Sequence, residues 1–119
     1  MSNSDRARRG EDAAAAYLER IGLAVVDRNW RCRSGEVDIV AIDGTALVII
    51  EVKTRRSARA GTPDEAVSPT KQKQLVRVAR HYVSDSGLDD AEVRFDVISI
   101  AQIAENRAIL RHHRAAFTA

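Results

Sequence analysis

The 119-residue sequence predicts an α/β fold: a mixed central sheet of about five strands flanked by helices, in the order α-β-β-β-α-β-β. Three observations predict it. Two segments, residues 5–21 and 69–86, carry apolar residues at helical spacing. Between them, short apolar runs are separated by the turn dipeptides Ser34-Gly35 and Asp43-Gly44. One of those runs, Leu47-Val48-Ile49-Ile50, is apolar on both faces, as a central strand covered on both sides must be.

The first helix is expected from Asp5 to Ile21, with Ser4 as N-cap, an acidic first turn and Gly22 as the stop. Its apolar face is Ala14, Tyr17, Leu18 and Ile21. Three strands follow, at Leu23–Arg31, Glu36–Ile42 and Ala46–Thr54. The Asp43-Gly44 pair between two apolar runs marks a hairpin joining the second and third. Arg55 to Val67 has no periodicity and contains Gly61 and Pro63, so it reads as a loop, long enough to suggest function. The second helix begins at Pro69 behind an N-capping Ser68 and ends at Gly87. Its buried stripe is Leu75, Val78, Ala79, Tyr82 and Val83. A fourth strand is expected at Val93–Ile100 and a fifth at Ala108–His112.

Length and composition bound the function. The chain has one domain's worth of residues, read as a single domain over 1–119. No apolar stretch approaches the roughly 20 residues of a membrane span. The polar start, Met1 to Arg9, does not resemble a signal peptide, so a cytoplasmic location is the default expectation. A lone Cys32 excludes an internal disulfide framework and a multi-cysteine zinc site. The net charge is only +2, but its distribution is uneven. Lys53 to Arg80 holds eight basic residues against two acidic ones, a sector suited to a polyanion or simply to a solvated surface.

The chemistry concentrates on the second and third strands. Alternation puts Glu36, Asp38, Val40 and Ile42 on one face, and Leu47, Ile49, Glu51 and Lys53 on one face of the next strand. Pairing around the Asp43-Gly44 turn brings Asp38 near residues 49 to 51, so Asp38 and Glu51 can converge. A carboxylate and an ammonium on an apolar central strand are costly there. Two carboxylates and a lysine suit a Mg2+ or Mn2+ site for phosphodiester chemistry. They also suit a structural ion pair at a strand end.

Gly35-Glu36-Val37-Asp38-Ile39-Val40-Ala41, followed by Leu47-Val48-Ile49-Ile50-Glu51-Val52-Lys53, resembles the PD-(D/E)xK nuclease signature. In that superfamily an Asp on one strand precedes Glu-x-Lys on the next, in a restriction-endonuclease-like core. Across nearly the whole chain the sequence is most similar to the bacterial YraN family, which is distantly similar to archaeal Holliday-junction resolvases. Further points of likeness are Gly10-Glu11, Arg28-Asn29, the Lys71 helix and Arg94-Phe95-Asp96. The resemblance implies a metal-dependent endonuclease acting on structured or branched DNA. Asp38 and Glu51 would be metal ligands, joined by Glu11, and Lys53 the catalytic lysine. A homodimer is compatible with a two-fold symmetric junction.

Phosphate contacts are expected from Arg55, Arg56 and Arg59, and from Lys71 and Lys73 at the start of the second helix. Lys71, four residues before Leu75, lies toward the core, which favours it over Lys73 for a place in the site. Glu36 reads as an acid beside the turn, Trp30 as cover for the core edge and Asp96 as a structural partner of an arginine. Cys32 and the adjacent His112-His113 pair carry no recognisable site. Two other readings stay open: a non-catalytic nucleic-acid-binding module on the same fold, and a protein-interaction adaptor.

Overall fold

The computed structural model describes residues 2–55 and 67–119. Its elements are α1 (Asn3–Arg20), β1 (Ala24–Cys32), β2 (Gly35–Asp43), β3 (Ala46–Arg55), α2 (Pro69–Ser86), β4 (Glu92–Ala104) and β5 (Arg107–Phe117). The predicted order and mixed sheet are present. The strands lie in sequence order, β1-β2-β3-β4-β5. Only β3 and β4 run parallel, because α2 carries the chain across between them. The expected loop lies outside the described residues except at its ends, and Arg55 closes β3 instead of opening the loop.

The core is two layers divided by the sheet. Val48 and Ile50 of β3 face α1, where they pack with Ala14, Leu18, Ile39, Ala41 and Ile98. Leu47 and Ile49 face α2, with Val40, Leu75, Val78, Ala79, Tyr82, Phe95 and Val97. This is the two-sided burial that the apolar run of β3 requires. Trp30 meets Tyr82 edge-on at 5.1 Å and covers the rim of the second layer, as expected. Among the described residues no helix is long and apolar enough to cross a membrane.

Three expectations change. The N-cap of α1 is Ser2, not Ser4. The Ser2 hydroxyl accepts from the Asp5 N–H at 3.1 Å and donates to the Asp5 carboxylate at 2.9 Å. That reciprocal pair outweighs a single cap two residues later. Ile21 is 39% exposed, because the helix ends at Arg20 and the turn through Gly22 hands its place in the core to Leu23. Finally, β4 and β5 run well past the apolar stretch that marked them, closing a hairpin where Ala104 pairs with Arg107. Their extensions are solvated, so hydrophobic patterning does not reveal them.

A polar network ties β5 to the sheet on the α1 side. Asp96, 1% exposed, accepts from Arg94 at 2.9 and 3.0 Å and from the Ala115 N–H at 3.0 Å, and lies 2.7 Å from His112 Nε2. Arg94 reaches on to Asp43 at 2.8 Å, and His112 Nδ1 lies 3.0 Å from the Tyr17 hydroxyl. Asp96 is structural, as the sequence suggested. Its histidine partner comes from strand register, which adjacency in sequence does not show.

Gly10 sets the distance between α1 and the sheet. A Cβ at this buried position would drive into Thr54 Cγ2 on β3. Gly10→Ala gains about 1 kcal/mol of helix propensity. It should still lower stability in urea denaturation, by about 1–3 kcal/mol, through overpacking against a stiff strand. Gly10→Ala combined with Thr54→Ser, which removes that methyl, should recover most of the loss.

Candidate active site

The site forms where β2 parts from β3. The ladder between them runs from Asp43↔Ala46 to Ile39↔Ile50. At the next position the Asp38 side chain accepts the Val52 N–H at 2.8 Å. Asp38 is thereby fixed on β3, beside Glu51. The sequence reading placed the two acids together, and the register brings them together.

Glu51 is 7% exposed, and it and Asp96 are the buried acids among the described residues. Burial, and next the charge of Asp38, push the Glu51 carboxyl up to about 7. Lys71 and Lys53 pull the other way without prevailing. Asp38 is also raised, first by burial and then by the charge of Glu36, against hydrogen bonds from the Val52 N–H and from Glu51. A proton on Glu51 favours the charged form of Asp38, and the charge of Asp38 favours that proton. Close carboxylates that cannot both ionise behave this way.

Two cations flank the pair. Lys53 Nζ lies 3.7 Å from Glu51 Oε2, and Lys71 Nζ lies 3.9 Å from the same oxygen. Both distances exceed a hydrogen bond, and both side chains are about one-third exposed. Lys71 sits in the first turn of α2, where Ser68 Oγ accepts its N–H at 3.2 Å. A cation there opposes the helix dipole, and the negative charge of the Asp38–Glu51 pair offsets it. The sequence preference for Lys71 over Lys73 agrees with this placement, since Lys73 is exposed.

The remaining candidates are placed as follows. Glu11, on α1, is half-buried, and its pKa is raised by burial first and then by the charge of Asp38. It also faces Arg28, whose Nη2 lies 3.9 Å from Glu11 and 2.6 Å from Asp12. Among the described residues no group of three or more His, Cys, Asp or Glu side chains gathers to hold a metal ion. The donor set at the centre is thus Asp38 and Glu51, with Glu11 at its margin. That set fits Mg2+, which commonly takes one or two carboxylates and keeps water and substrate phosphate for the rest. Glu36 pairs with Arg31 beside the turn. Arg55 ends β3, and Arg56 and Arg59 lie outside the described residues.

Sequence reasoning missed what holds the turn before β2. Gln74 on α2 donates to the Ser34 carbonyl at 3.1 Å, and His81 lies 3.1 Å from the Ser34 hydroxyl. A Cβ on Gly35, whose φ is +140°, would strike the Gln74 side chain. The one sequence cue was the glycine immediately before Glu36.

The raised Glu51 pKa has a sign for stability. The folded state holds a proton that the unfolded state releases between the ordinary glutamate range and about 7. Stability therefore falls as pH rises through that window and stays low above it. With chelator present, Glu51→Gln should be more stable than wild type by about 1–3 kcal/mol near pH 8, with the advantage vanishing near pH 4. Urea denaturation at the two pH values measures this directly.

Comparisons with known proteins agree with the sequence resemblance at the family level. Residues 10–100 match the model described as uncharacterised protein family UPF0102. A UPF0102 protein of Geobacter sulfurreducens is 50% identical over 109 residues, spanning 92% of this chain and 85% of its own. Another from Rhodococcus jostii is 46% identical over 108 residues, spanning 91% and 92%. Among solved structures, Pyrococcus furiosus SfsA in complex with Ca2+ matches with a TM-score of 0.50 and 15% identity. That match covers 91% of this chain and 63% of SfsA, and at such identity it speaks for the fold alone. On its family match and these relatives, the chain belongs to the UPF0102 family, the bacterial YraN group that its motifs resemble.

Proposed function

We propose that this protein is a metal-dependent endonuclease of the PD-(D/E)xK, restriction-endonuclease-like type, hydrolysing phosphodiester bonds in structured or branched DNA. One observation carries the reading. Asp38 and Glu51 sit side by side on neighbouring strands at the cost of a raised pKa on each, with Lys53 two residues further on the same face. A structural ion pair would be expected to settle its charges. This pair leaves them unsettled.

Asp38 and Glu51 would hold Mg2+ or Mn2+, with Glu11 as the outer acid. A divalent cation bound there supplies Lewis-acid polarisation of the phosphodiester. The chain's own groups do the rest. The Val52 N–H fixes the Asp38 carboxylate toward the site. Lys53 orients the attacking water and lends positive charge to the pentavalent phosphorus. Lys71, held at the α2 N-terminus beside Glu51, meets a non-bridging oxygen of the scissile phosphate. Arg55 and Lys73 contact flanking phosphates, and the same role is proposed for Arg56 and Arg59. The SfsA neighbour is a complex with Ca2+, another hard, oxygen-seeking cation, but the reading for this chain rests on its own carboxylates.

Cleavage of a labelled four-way junction, with a linear duplex as control, tests the proposal. Mg2+-dependent nicking should be abolished by chelator. Asp38→Ala and Lys53→Ala should each lower the rate by at least about 100-fold, with Lys53→Ala still binding DNA. Undiminished cleavage by Asp38→Ala overturns the assignment. Junction binding that ignores chelator, with no cleavage by wild type, supports a binding module instead.

A further inference from the structure

Three strands carry one row of polar side chains past the active site. Lys53 on β3 is in register with Ser99 on β4, and Ser99 with Arg111 on β5. Neighbours in register point to the same face. The preceding row on that face is Glu51 beside Val97, and Val97 lies in the α2-side core. The intervening position, Ile98 beside His112, belongs to the opposite, α1 side. Lys53, Ser99 and Arg111 therefore share the face of the candidate active site.

That part of the face is open among the described residues. Ile109, one row further on, is 37% exposed, and Arg111 is exposed. Arg111 makes no ion pair or side-chain hydrogen bond among the described residues. On the other flank, α2 packs over β1 and β2 and presents Lys73, Arg77 and Arg80 to solvent. Cations thus stand on both sides of β3, which holds Glu51 and Lys53.

We propose that Ser99 and Arg111 form a second phosphate subsite, which takes the backbone of a nucleic-acid strand crossing β3, β4 and β5 at right angles. This inference rests on the nuclease reading and deepens it. Arg111 stands two strand spacings from Lys53, about 10 Å. It therefore meets a phosphate flanking the scissile one on the same strand. Arg111 supplies charge and a forked donor, and Ser99 a hydroxyl, neither of which reads base identity. The subsite predicts recognition by backbone course, with Arg111 as a positioning residue.

Arg111→Ala, Arg111→Lys and Ser99→Ala are compared with wild type by junction binding across a salt series, by cleavage kinetics and by thermal melting. Arg111→Ala should raise Kd and KM about tenfold and reduce the salt slope by about 1, with kcat and melting temperature unchanged. Arg111→Lys should keep most of the affinity, and Ser99→Ala should lose a few-fold. Mn2+ uptake without DNA should be the same in all. Wild-type Kd and salt slope in Arg111→Ala overturn the subsite while leaving the nuclease reading intact. A loss of kcat together with melting temperature overturns it too, as a structural effect. Wild-type protein that neither binds nor cleaves junction DNA overturns both.

Discussion

Asp38 and Glu51 are held against each other at the one place where the central strand stops being apolar, and the architecture around them depends on tolerating that. Burial raises both carboxyls; the charge of Asp38 adds to the rise at Glu51, which reaches about 7, and the charge of Glu36 adds to that at Asp38. The fold accepts the strain because everything on either side is well packed. Leu47 to Ile50 are buried on both faces, and α2 is capped by Ser68 at the end that faces the pair. Such local destabilisation supported by a stable frame is what the proposed active site would ask of its fold.

Asp96 gives the contrast that makes Glu51 informative. Both are acids buried in the same sheet, on adjacent strands and opposite faces. Burial acts to raise Asp96, but hydrogen bonds from His112, Arg94 and the Ala115 N–H hold it below the ordinary carboxylate range. Glu51 has lysines at 3.7 and 3.9 Å, neither close enough for a hydrogen bond, and its pKa goes up. One acid is saturated with donors and ties β5 to the sheet. The other has its lysines beyond hydrogen-bond distance, which leaves oxygen lone pairs of the kind the proposed metal site would use.

Much of this was legible in the sequence where local rules act alone. Asp43-Gly44 gave the β2–β3 hairpin, Ser68-Pro69 and Gly87 bounded α2, and the double-faced run at 47–50 identified the central strand. Alternation across that hairpin then brought Asp38 to Glu51, and helical spacing turned Lys71 inward. The failures have a common cause, which is tertiary context. Ile21 has the right spacing for the α1 core but falls where the helix ends. The outer halves of β4 and β5 pair through backbone while their side chains face solvent. His112 looked isolated because its acid lies across a strand boundary. The Lys53–Ser99–Arg111 row likewise exists only once β4 and β5 are set beside β3.

Calorimetric titration of Mn2+ asks whether the strained carboxylate pair is a metal site. Wild type and Glu51→Gln are titrated with and without a four-way junction. Wild type should take up Mn2+ saturably and more tightly with DNA phosphate present, and Glu51→Gln should lose that uptake while keeping its fold. Equal uptake by both proteins, or none by either with junction present, would contradict a metal site there and leave Asp38 and Glu51 as a structural pair.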